Sequence, residues 1–153
     1  MPTARRSRRI DAPADELWDV IGDPHHLPRW WPRVTRVEDV EEGAFTEVMR
    51  TRKGKLVRAD FRVVARDDDA RSLTWVQQIE GSPFARVLKS AETEIRLQAG
   101  SARATEVAIE LRQVPSGVSR FGGYMMRRAA RATLDEALDG LQRIGDRPVV
   151  ADG

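Results

Sequence analysis

Cysteine is absent from this chain of 153 residues, which excludes disulfides, thiolate metal sites and cysteine nucleophiles. Histidine is nearly absent: His25 and His26 stand side by side next to Asp23. A metal centre needs three or four converging ligands, so a surface turn is expected there, with no metal and no cofactor. No apolar run approaches the about 20 residues of a membrane span, and the arginine-rich start is not followed by an apolar signal core. The expected location is therefore the cytoplasm. No glycine-rich turn ending in Lys-Ser or Lys-Thr is present to cradle phosphate, and no Gly-x-Ser-x-Gly context is present to present a serine nucleophile.

What is there describes an ordinary folded domain. Hydrophobic residues make up 41% of the chain and charged residues 33%, which argues against disorder. The formal net charge is only +2, and the basic residues are mostly arginines interleaved with 24 acids. Such mixing suits a solvated surface better than a nucleic-acid or membrane-surface footprint, and no nucleic-acid partner is expected. The run Arg5-Arg6-Ser7-Arg8-Arg9 lacks interleaved aromatics and is read first as part of a strand.

Thr3 to Ile10 lacks helical spacing and reads as a first strand. Asp11 is a candidate N-cap and Pro13 suits a first helical turn, giving a helix over 14–21. Gly22-Asp23-Pro24 stops it, and Pro28 and Pro32 bracket a second, irregular helical turn with Trp30 and Trp31. Six strands follow, over 34–40, 46–52, 56–66, 72–79, 86–99 and 105–114, separated by short turns such as Glu42-Gly43 and Gly100-Ser101. Val57, Ala59, Phe61, Val63 and Ala65 alternate with polar residues, so one sheet face is wet and the other needs a cover. A helix over 118–144 supplies it, with Met126, Ala130, Leu134, Ala137, Leu138, Leu141 and Ile144 on one side. Gly122 and Gly123 weaken its opening half, which is expected to bend or open. The domain is expected over 1–146, with 147–153 a frayed tail.

Three local motifs join this element order. They are Ile10-Asp11-Ala12-Pro13-Ala14-Asp15-Glu16-Leu17-Trp18, then Gly22-Asp23-Pro24 with Leu27-Pro28-Arg29-Trp30-Trp31-Pro32, and Thr105-Glu106-Val107. With them the chain resembles the START-like (Bet v 1-like, SRPBCC, helix-grip) superfamily, in particular its bacterial polyketide cyclase/dehydrase and lipid-transport members. The resemblance implies an α+β helix-grip fold: a curved seven-stranded antiparallel sheet, two short helices after strand one, and a long C-terminal helix over the concave face. It also implies a cavity between sheet and helix that takes lipids, polyketides or other apolar molecules, and in some relatives performs cyclisation, dehydration or aromatisation.

Alternation places Met49, Phe61, Val63, Trp75, Ile95, Val107 and Ile109 on the concave face, opposed by Phe121, Tyr124 and Met125 on the helix. Of the two tryptophans Trp30 is assigned inward; the alternative is that both only pack the short helices. Arg6 and Arg8 share parity with Ile10, where resembling sequences carry apolar residues. Either a regular strand brings their guanidinium groups to the cavity side, or a late start or bulge leaves them in solvent. No convincing catalytic cluster stands out, and Tyr124, Arg8 and Gln77 are the nominees if chemistry occurs.

Three functions follow: binding of a hydrophobic small molecule, a cyclase, aromatase or dehydratase using the same cavity, or a co-chaperone-like interaction module. The first leads, and the oligomeric state, monomer or homodimer, stays open.

Overall fold

The computed structural model describes residues 3–117 and 120–146. Seven strands form one sheet: β1 (Thr3–Ile10), β2 (Val34–Glu41), β3 (Ala44–Arg50), β4 (Leu56–Asp67), β5 (Ser72–Gln78), β6 (Leu88–Ser101) and β7 (Ala104–Pro115). Their order across the sheet is β1-β7-β6-β5-β4-β3-β2, every pairing antiparallel. Helices α1 (Ala14–Ile21) and α2 (Leu27–Trp30) follow β1, joined by the 3-10 turn Pro24–His26, and α3 (Arg120–Gly145) closes the chain. This is the expected α+β helix-grip architecture. No helix among the described residues is long and apolar enough to cross a membrane. The tail 147–153 and the side chain of Phe121 lie outside the described residues.

Directly paired residues share a sheet face, so the register defines the dry side. Ala4, Leu111 and Thr93 lie on it, as do Ile95 with Ile109, Val107 with Leu97, Trp75 with Val63, and Phe61 with Phe45. The opposite face is ionic: Arg112 there bonds Glu92, Glu94 and Glu110. Under α3, Leu134, Leu138 and Leu141 are wholly buried in the same apolar cluster as Ile10, Ile95, Val107 and Ile109. Residues 120–145 form one unbroken helix, so Gly122 and Gly123 do not interrupt it.

Three details differ from the expectations, and a fourth bears on the choice left open for Arg6 and Arg8. The N-cap of α1 is Pro13, in extended conformation, and no side chain caps it; Asp15 and Glu16 in the first turn instead supply the negative charge favoured there. A bulge between Val63 and Ala65 shifts the parity of β4, so Ala65 pairs with Thr74 and leaves the dry face. Strand β6 starts at Leu88 because Pro83–Arg86 form a 3-10 turn whose Ser82 side chain accepts from the Phe84 N–H. Strand β1 runs in regular register from Thr3 to Ile10 against β7, so neither a late start nor a bulge occurs there, yet Arg6 and Arg8 turn to α3 and border neither of the cavities of the dry face. Arg6 and Arg8 both lie on the dry side of this edge strand, where they meet α3: Arg6 pairs with Asp135 at 3.2 Å and Arg8 with Asp139 at 2.6 Å.

Helix α2 bridges the β2 edge and α3. That approach depends on Gly140, because a Cβ there would stand 2.4 Å from the Trp30 carbonyl oxygen and 2.7 Å from its Cα. Neither atom is the end of a flexible side chain, so the helices would have to separate. Gly140→Ala is therefore expected to destabilise the fold by roughly 1–3 kcal/mol, read as a lower urea midpoint at unchanged slope. An unchanged midpoint would mean that α2 is not held this tightly.

Candidate ligand cavity

Two of the cavities among the described residues are walled mainly by side chains of the dry face. The larger, of about 670 Å³, sits between β3, β4, β5, β6 and β7 and the first half of α3. Trp31, Met49, Phe61, Trp75, Leu88 and Leu111 line its sheet side, and Met125, Met126, Ala129, Ala130 and Thr133 its helix side. The smaller, of about 340 Å³, lies beneath α1 and the β2–β3 turn and is bordered by Ile21, Leu27, Phe45, Val63, Arg66, Leu73 and Trp75. A line of aromatic rings runs between them. Trp31 meets Trp75 edge to face with centroids 5.9 Å apart, Trp75 meets Phe45 at 5.8 Å, and Phe45 stacks on Phe61 at 5.3 Å. Trp75 borders both cavities and is the partition.

The local sequence explains why the hollow is here. The second half of α3 carries Leu134, Leu138 and Leu141, which fill the space above the sheet. The first half carries alanines at 129 and 130 and a threonine at 133, which cannot reach across it. Met126 instead packs with a small separate cluster of Ile79, Phe84, Leu88 and Ala91 at the far end. Val87 and Met125 are both more than half exposed and stand with the exposed Arg33 and Arg52 at the cavity border, which marks its mouth.

The residues singled out from sequence are distributed unevenly. Met49, Phe61, Trp75, Gln77 and Met125 border the larger cavity, and Val63 borders the smaller. Ile95, Val107 and Ile109 share the dry face but are wholly buried under the aliphatic half of α3 and border neither. Trp31, not Trp30, faces the larger cavity; Trp30 is buried where α2 abuts α3. Tyr124 is 62% exposed and borders neither cavity. Arg8 is engaged by Asp139 and Gln142 at the β1 edge.

Sequence reasoning missed Glu47. It pairs with Ala59 and so projects from the dry face into the larger cavity, only 2% exposed, and its Oε1 has no hydrogen-bond partner among the described residues. Burial pushes this carboxyl up to about 8, so it is protonated at neutral pH. The Gln77 Nε2 is sealed and unpartnered as well. The signal was available: Glu47 stands two residues before Met49, and residues at i and i+2 of a strand share a face.

Comparison with known proteins agrees with this geometry. The family described as polyketide cyclase / dehydrase and lipid transport matches residues 1–144. The chain belongs to this family. No curated protein matches it. Among solved structures, this family member is similar to the di-domain ARO/CYC BexL from the BE-7585A biosynthetic pathway, at 21% identity and TM-score 0.80, covering 94% of this chain and 46% of that one. It is also similar to the Zhui aromatase/cyclase from Streptomyces sp. R1128, at 19% identity and TM-score 0.73, covering 99% and 97%. A START superfamily protein from Mycobacterium smegmatis matches at 12% identity and TM-score 0.77, covering 94% and 97%. At these identities the likeness establishes the shared fold.

The Glu47 carboxyl gives a testable pH signature. Its pKa is raised in the folded state, so between the ordinary value of 4.5 and about 8 the native protein holds a proton that the unfolded chain releases. Stability therefore falls as pH rises across that window and levels off above it. Glu47→Gln is expected to remove this slope and to be the more stable form at pH 8, by on the order of a few kcal/mol. Denaturant titrations of both proteins at pH 5 and pH 8 check it, and parallel pH profiles would refute a buried neutral acid.

Proposed function

We propose that this chain binds a hydrophobic small molecule, of the lipid or polyketide kind, in the larger cavity. The observation that supports this reading most is the hollow itself: about 670 Å³ walled by Trp31, Met49, Phe61, Trp75, Met125 and Met126. Such a volume, mostly apolar with a few placed polar groups, is typical of small-molecule sites. Methionines on the helix side adapt to differing ligand shapes. Ala129 borders the hollow from an exposed position, so Ala129→Trp is expected to fill it without disturbing the core. Affinity for an environment-sensitive naphthalene dye should drop at least tenfold in this variant with little change in Tm; equal dye binding by both proteins would remove the cavity as the site.

The Glu47 carboxyl supports a second reading, an enzyme of the cyclase, aromatase or dehydratase type. A carboxylic acid that keeps its proton at neutral pH inside an apolar hollow is suited to general acid catalysis. Of the nominees from sequence, Gln77 alone stands on this cavity. If the protein turns over a polyketide-like substrate, Glu47→Gln should lower kcat at least a hundredfold while leaving ligand affinity within a few fold. Unchanged kcat would exclude Glu47 as the acid.

A further inference from the structure

We infer that Glu47 and Gln77 form a specificity pair, which makes the larger cavity prefer a ligand bearing an uncharged oxygen acceptor over a hydrocarbon of the same shape and over the corresponding anion. This rests on the ligand-binding reading above. Buried polar atoms in folded proteins nearly always have partners. Here two that lack one among the described residues, Glu47 Oε1 and Gln77 Nε2, belong to side chains bordering one cavity. Glu47 lies opposite Ala59 and Gln77 opposite Phe61, so the two groups stand on alternate strands of the same face, offset by two residues, with the small Ala59 between. Apolar and aromatic side chains surround them.

The chemistry of the pair selects the ligand group. A protonated carboxyl and an amide N–H₂ both donate, so the complement is an acceptor such as a ketone oxygen. An ammonium ligand would have to ionise a carboxyl that burial keeps neutral. Among the described residues, a ligand carboxylate at this depth would meet no cation, since the charged groups bordering the cavity besides Glu47 are Arg33 and Arg52, both exposed at its mouth. A hydrocarbon would leave both donors unpaired, and sites built to hydrogen-bond a ligand reject the analogue lacking that group.

Three probes of matched shape test this: 2-acetylnaphthalene, 2-isopropenylnaphthalene, in which a CH₂ replaces the ketone oxygen, and 2-naphthoate. At pH 6.5 the ketone should bind at least tenfold more tightly than either of the others. Glu47→Leu and Gln77→Leu should each bring the ketone-to-alkene ratio towards one while preserving alkene affinity, which also shows that the variants are folded. Ketone affinity should fall as pH is raised through about 8, where Glu47 loses its donor proton, and alkene affinity should not. Equal affinity for ketone and alkene, or a ratio that neither substitution changes, would overturn the specificity pair and leave apolar binding standing. Failure of all three probes to bind would overturn both.

Discussion

The aliphatic half of α3 is anchored to the sheet by side chains wholly removed from water, Leu134, Leu138 and Leu141 above and Ile95, Val107 and Ile109 below. Each such side chain contributes about 2 kcal/mol of burial, and together they fix the height of the helix over the strands. Once that height is set, the other half of α3 passes over the same sheet with Ala129, Ala130 and Thr133 where the second half has leucines, and Met126 turned to a separate cluster. The hollow is the geometric result. Along the β1 edge, Arg6–Asp135 and Arg8–Asp139 follow the same line of contact. These pairs are partly exposed and so add orientation more than stability.

The short helices complete the enclosure from the other edge. Gly140 lets the backbone at Trp30 rest on α3, and this brings Trp31 over the sheet beside Trp75. The aromatic line Trp31, Trp75, Phe45 and Phe61 then both packs the interior and divides it. At the far side of α1, Arg66 lies over the Trp18 ring and donates to the Gly22 carbonyl at 2.7 Å, closing the end of the smaller cavity. A buried Thr105 hydroxyl donates to the Ala12 carbonyl at 2.8 Å and ties β7 to the turn before α1. Threonine at the start of the Thr105-Glu106-Val107 motif thus has a structural task.

Much of the architecture was legible because it rests on local rules. Period-two alternation, turn residues and one long amphipathic stretch define the strands, the meander and α3 without reference to distant residues. Where the reading slipped, a non-local fact intervened. The bulge after Val63 changes the face of Ala65, and nothing in the local pattern announces it. Ile95, Val107 and Ile109 carry the same alternation signal as Met49 and Trp75, yet they lie beneath leucines and the latter beneath alanines and methionines. The sheet face of each was readable; which part of α3 stood above it was not. The tryptophan that faces the cavity likewise depends on how α2 seats against α3.

Glu47 marks the boundary between the two kinds of information. Alternation alone places it on the dry face of β3, because strand periodicity is a property of the backbone. Its protonation and its lack of a partner depend on how far water is excluded, and that is decided by residues far away in sequence, including Gln77 and the methionines of α3. The sequence by itself determined element order, sheet face and the wet and dry sides, since these follow from short-range periodicity. Only the tertiary structure decided where the core is filled and where it is hollow, since volume is the difference between side chains that meet across the fold.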